Sequence, residues 1–240
     1  MQGGKFGHGF LSAGLSKLAT PTISANVKGD LAQGISIAIV GGTISEATGG
    51  KFANGAVTAA MAFAFNQVAS DRAQERQAAK SAGEGMVGPY HSAFDPASGD
   101  YHDYDVGPSV VCALSTVGCS QPMMSPIVGS ESIPFTIFYS GPGSYGLPYG
   151  LGWDPIIHLT PRQGIWWNIT EPEHRYHPGV VVHALYESGN KLWLYTKGVG
   201  VGPDAAWNVA VGEVLFKDMH VDVQRRVLQQ LHGGPPRWVP

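Results

Sequence analysis

The sequence predicts an α+β chain in two parts: a helical Gly/Ala-rich N-terminal module, then a mostly antiparallel β-rich domain closed by a C-terminal helix. Three observations predict it. Residues 1–68 carry few charges and two runs of small and apolar residues, which suit closely packed helices. Residues 165–196 are rich in aromatic and β-branched residues separated by short turns, the composition of strands. Residues 219–231 place Val223, Val227 and Leu231 four apart, one stripe of a helix.

Each element follows in order. The first helix is expected over about Leu31 to Thr48 and the second over about Asn54 to Val68, with Gly41-Gly42 and Gly49-Gly50 as interruptions, since an interior glycine costs a helix about 1 kcal/mol relative to alanine. Residues 69–84 are polar and Ala/Gln-rich, a linker or a solvated helix extending the one before. The predicted domains are therefore 1–68, a linker at 69–84, and 85–240. Within the last, residues 85–161 contain no Lys or Arg and are punctuated by Gly-Pro and Asp-Pro, so they read as loop-like. Strands are expected at Ile165–Thr170, Val180–Tyr186 and Lys191–Thr196. The last two form a hairpin through Ser188-Gly-Asn190, and Gly198-Val-Gly-Val-Gly ends it. Residues 205–216 fit either a helix or a strand pair. The closing helix, Met219 to Leu231, stops at Gly233-Gly-Pro-Pro.

Composition excludes several classes. Of 240 residues, 43% are hydrophobic and 14% charged, which argues against wholesale disorder. The net charge of −3 does not suit a long nucleic-acid groove, which needs a basic face, although a small RNA contact stays open. The run Ile37–Val40 is far short of a membrane span, so no stable span is expected. No signal peptide is visible at the start. Cys112 and Cys119 do not have zinc-ligand spacing; a local disulfide and two reduced thiols both fit.

Three blocks in order, Gly3-Gly-Lys-Phe-Gly-His-Gly-Phe, Ala38-Ile-Val-Gly-Gly-Thr and Thr48-Gly-Gly-Lys-Phe-Ala-Asn-Gly, followed by Phe63-Ala-Phe-Asn-Gln, carry a resemblance. Residues 3–68 resemble the segment upstream of the variable toxin in bacterial polymorphic toxins of the Rhs/YD-repeat and filamentous-haemagglutinin or contact-dependent-inhibition type. The tail resembles toxin ends through Val111-Cys-Ala-Leu-Ser-Thr-Val-Gly-Cys-Ser, Asp154-Pro-Ile-Ile-His158, Asn168-Ile-Thr-Glu-Pro-Glu-His174 and Asn208. The resemblance implies a pretoxin module followed by an effector, secreted as part of a larger protein and delivered into a target bacterial cell. A cognate immunity protein is the implied partner.

Nine histidines point to the chemistry of the effector. His174 and His177 lie three apart beside Asn168 and Thr170, and His158 precedes them. Imidazole titrates near neutrality, so a pair supplies a general base and a general acid without metal or cofactor. The expectation is a metal-independent ribonuclease with His158 and His174 as the acid/base pair, and with His177, Asn168, Thr170 and Lys197 in support. Arg175 or Lys197 would stabilise the developing phosphorane charge. Nucleases are common among such toxins, and that part is analogy. Against it stand a turn in which His174 and His177 only cap a Pro-Gly loop, and a metal site built from them with Glu171 or Glu173. The Pro-Gly that follows does not suit the helix of the usual His-x-x-x-His zinc motif. Two other readings are a membrane-disrupting toxin acting through residues 31–68 and an NAD-consuming or ADP-ribosylating toxin.

Overall fold

The computed structural model describes residues 22–23, 30–47, 49, 51–88, 93–133, 138–141, 144–149 and 152–233. The first resemblance block, at residues 3–17, and the prolines of the C-terminal stop lie outside them. The chain divides into two compact units, 1–74 and 75–240.

In the first unit the described residues form helix α1 (Asp30–Ala47) and the first part of helix α2 (Phe52–Val87). Small residues let the two backbones approach closely. A Cβ at Gly55 would collide with the carbonyl of Gly41, and one at Gly42 with the Phe52 ring. The predicted interruption at Gly41-Gly42 is therefore a packing notch inside a continuous helix. Ile39, Val57, Met61 and Phe65 are exposed. No helix among the described residues is long and apolar enough to cross a membrane.

The expected linker at 69–84 is helical throughout, and the division between the units falls inside α2. The second unit keeps the end of α2, then adds β1 (His102–Ala113), α3 (Gln121–Glu131), β2 (Phe138–Gly141), β3 (Ser144–Tyr149), β4 (Gly152–Arg162), β5 (Ile165–Thr170), β6 (Gly179–Ser188), β7 (Lys191–Gly200) and α4 (Ala205–Leu231). The fold is α+β, with a C-terminal helix as expected. The seven strands form one antiparallel sheet in the order β1-β7-β6-β5-β4-β3-β2.

Residues 85–161 are not loop-like; they supply four of those strands and α3. Their glycines and prolines sit where a sheet tolerates them. Gly107-Pro108 lies on the edge strand β1 at a register shift between Val106 and Ser109, where a missing N–H breaks no ladder bond. Gly198 lies within β7, and the strand ends at Gly200, inside the glycine run expected to end it. Residues 205–216 belong to a single helix with 219–231. Its inner face runs through Gly212, Phe216, Met219, Val223 and Val227, spaced three or four apart.

The sheet has two apolar faces. One packs Leu185, Leu192, Leu194 and Trp166 against Met124 and Val128 of α3 and Phe216, Met219 and Val223 of α4. The other packs Ile165, Val182, Ala184, Tyr186, Trp193 and Tyr195 against Ala79 and Val87 of α2. Cys112 and Cys119 form a disulfide that joins the end of β1 to the turn before α3.

Candidate functional site

The face covered by α4 carries a line of polar side chains, one from each successive element. Alternation along β5, β6 and β7 sends Asn168, His183 and Thr196 to this face, because side chains two apart share a side. His158 Nδ1 lies 2.6 Å from Asn168 Oδ1. Asn168 Nδ2 donates to the Ser132 carbonyl at 2.6 Å and to His183 Nε2 at 3.3 Å. His183 Nδ1 then donates to Thr196 Oγ1 at 2.8 Å, and Thr196 donates to His220 Nε2 at 2.9 Å. His220 Nδ1 closes the line on Ser109 Oγ at 2.9 Å. Starting from the amide, which must donate through Nδ2, every later role is fixed. Each ring nitrogen of His183 and His220 is used once, as one donor and one acceptor, so both rings are neutral. Burial supports this by lowering both to about 3.

A second cluster forms at the turn between β5 and β6. Asp154, 4% exposed, accepts the backbone N–H of Arg175 at 3.0 Å and pairs with its guanidinium at 2.8 Å. His174 Nδ1 accepts the N–H of Tyr176 at 3.1 Å, which leaves the ring proton on Nε2. Burial lowers His174 to about 4. His177 Nδ1 donates to the Thr170 carbonyl at 2.9 Å, while the Thr170 hydroxyl bonds the backbone of Gly179.

Between these clusters, under α4, lies a cavity of about 90 Å³. Ile156, Val181, Val211, Leu215 and Phe216 line it, with Asn168, Thr170, Asp154 and His174 on one side and His102, Tyr104 and Asn208 on the other. Glycines make room for two of its side chains. His102 and Tyr104 of β1 pair in register with Gly200 and Gly198 of β7. A Cβ at Gly200 would lie 2.8 Å from His102 Nε2, and one at Gly212 would lie 2.7 Å from the Tyr104 hydroxyl. His102 Nδ1 donates to the Asp100 carbonyl at 3.2 Å, so its Nε2 accepts from Asn208 Nδ2 at 2.7 Å. Burial lowers the pKa of His102 as well.

Of the sequence-predicted residues, the structure brings Asn168, Thr170 and His174 to the cavity and places His177 behind Thr170. His158 is not among the lining residues; it is bonded to Asn168. Lys197 points to the other face of the sheet, next along the strand from Thr196, and pairs with Asp103 at 2.6 Å. Both cations assigned to a phosphate are thus paired with carboxylates. The groups that could hold a metal do not gather: no cluster of three or more His, Cys, Asp or Glu with ligand geometry exists among the described residues. His102, Tyr104 and His220 were not singled out by the sequence reading. The signal was the pair His102-x-Tyr104 and Gly198-x-Gly200, whose meaning appears only once β1 is paired with β7.

No family model matches this chain, and no curated protein matches it. Among solved structures it is similar to a conserved protein from Geobacillus kaustophilus, with 15% identity over 54% of this chain and 95% of that one and a TM-score of 0.35. It is also similar to the di-domain ARO/CYC StfQ from the steffimycin biosynthetic pathway, with 12% identity over 56% of this chain, 47% of that one and a TM-score of 0.29.

Proposed function

We propose that the chain is the toxic end of a delivered bacterial toxin and that its second unit acts through a small molecule held in the cavity under α4. The observation that carries the second half is the cavity itself. Its exposed walls are mostly aliphatic and aromatic, its polar groups converge on one space, and glycines at 198, 200 and 212 make room for the Tyr104 and His102 rings beside it. That is the usual make-up of a small-molecule site. At about 90 Å³ it is smaller than the apolar cavity of about 150 Å³ that accepts benzene, so a single ring or a short acyl chain would fill it and reach into its open side. His174 and His102 are neutral at pH 7 and present no net charge, and Arg175 is committed to Asp154. His174 offers a donor through Nε2–H. The toxin half rests on the ordered N-terminal blocks, and it makes a cognate immunity protein the partner.

A ribonuclease is the second reading. One observation favours it: Asn168, Thr170 and His174, three of the residues expected to serve it, meet at the same cavity. Among the described residues it lacks an unpaired cation beside them, and its acid/base partner His158 is bonded to Asn168.

One experiment separates the two. The full chain is expressed in Escherichia coli from a tight promoter, as wild type and His174→Ala, and growth, total RNA and NAD are followed for the first minutes. Growth arrest with RNA intact supports the small-molecule reading, and NAD loss with it would point to the nicotinamide ring as the group held. Arrest with RNA degradation that His174→Ala abolishes supports the ribonuclease. Unimpaired growth with the protein present in the cytosol counts against both cytosolic readings.

A further inference from the structure

Tyr104 lines the cavity with a hydroxyl that makes no hydrogen bond within the described residues. It stands on β1 with its ring laid across Gly198 of β7 and under Gly212 of α4; a Cβ on either glycine would collide with the ring. The side chain is 6% exposed and stacks on Phe216 at a centroid distance of 6.2 Å. Two elements have thus given up side chains to let a phenol pass between them. A phenylalanine would fill the same slot without a polar atom to satisfy. A buried hydroxyl without a partner is costly, so one on a side chain that lines a cavity calls for an explanation. Among the described residues the Tyr104 hydroxyl has no hydrogen-bond partner, whereas Asn168, Thr170, His102 and Asn208 around it are all bonded. Burial raises its pKa, so it stays a neutral hydroxyl that both donates and accepts.

We propose that the Tyr104 hydroxyl is the specificity-determining anchor of the cavity, selecting molecules that carry a hydroxyl or carbonyl oxygen on a ring-sized apolar group. This rests on the cavity being a small-molecule site. The apolar group lies against Ile156, Val181 and Leu215, and its oxygen exchanges a hydrogen bond with Tyr104. No proton moves and no bond is made.

Phenol and toluene test it, because they differ by a hydroxyl against a methyl group at nearly equal size. Dissociation constants of both probes are measured on the full-length protein, wild type and Tyr104→Phe, with a melting curve for each. Removing one hydrogen bond corresponds to about a tenfold change. We expect the ratio of the phenol to the toluene constant to rise about tenfold in Tyr104→Phe, with toluene binding almost unchanged. If both probes bind and the ratio is the same in the two proteins, Tyr104 is not the anchor, although the cavity reading stands. If neither probe binds the wild type, the cavity reading fails and takes this proposal with it. A second measurement does not depend on the variant. With ¹³Cζ-tyrosine label, phenol should shift the Tyr104 resonance and toluene should not; equal responses to both probes would overturn the assignment.

Discussion

At the scale of single residues, the polar line from His158 to Ser109 shows how a β-sheet core accommodates imidazoles. Each buried ring costs little because both of its nitrogens are satisfied; the cost appears when one link is removed. Thr196 is the central link, accepting from His183 and donating to His220. Thr196→Val keeps the shape and leaves an N–H of His183 and a nitrogen of His220 unpaired. We expect it to destabilise the protein by about 3 kcal/mol in urea denaturation, while Thr196→Ser, which restores both bonds, recovers most of the loss. The same rings set a pH dependence. His183 and His220 are lowered to about 3, against about 6.5 in an unfolded chain. The unfolded state therefore binds protons first. The stabilisation is complete above pH 6.5, declines as pH falls below it, and is gone near pH 3. Urea midpoints should fall between pH 6.5 and 5, before most carboxylates titrate. The fall should be smaller in a His183→Gln, His220→Gln double variant, in which His102, His158 and His174, also lowered by burial, still contribute; an equal fall would place its origin in those groups.

At the scale of elements, the strands beyond residue 160 and the second half of the last helix were legible in the sequence because their signals are periodic and local. The edge strand β1 was not. Its Gly107-Pro108 reads as punctuation, and its alternation of His102, Tyr104 and Val106 gains meaning only against the glycines of β7. The candidate site divided in the same way. His174, Thr170 and Asn168 stood out because histidines and amides are conspicuous in one stretch of chain, whereas Tyr104 and Asn208 enter from elements about 100 residues apart. Proximity along the chain also misassigned Lys197, since adjacent residues of a strand face opposite sides. The disulfide is a local staple with its own test. Closing a loop across seven residues of separation corresponds to roughly 2.5 kcal/mol in the chain-entropy description. Reduction should lower the unfolding free energy by about that amount. A Cys112→Ser, Cys119→Ser variant should match the reduced protein and no longer respond to reductant.

At the scale of the molecule, the decisive question is where the second unit begins: composition turns at residue 85, whereas the compact unit starts at residue 75, and the difference has a physical reason. Residues 75–84 look solvated because their inward residues are small: Ala79 is fully buried, and Gly83 sits so close to Tyr186 and Tyr195 that a Cβ would lie 2.8 Å from the Tyr186 hydroxyl. The bulk that fills this interface comes from the sheet, from Tyr186, Trp193 and Tyr195, so the helix itself shows almost no hydrophobic stripe. The contact is specific all the same. The Tyr186 hydroxyl donates to the Ala79 carbonyl at 2.6 Å, and Glu75 pairs with Lys191. A fragment starting at residue 85 loses all of these and bares three aromatic side chains on one face of the sheet, whereas a fragment starting at residue 75 keeps them. The lost hydrogen bond and the exposed apolar surface together correspond to at least about 3 kcal/mol. We therefore expect residues 75–240 to unfold in one cooperative transition and residues 85–240 to melt well below it, and to bind a hydrophobic dye that the longer fragment does not. Equal melting of the two fragments would mean that the end of α2 only rests on the sheet, and the domain would begin where its composition first turns from polar to mixed.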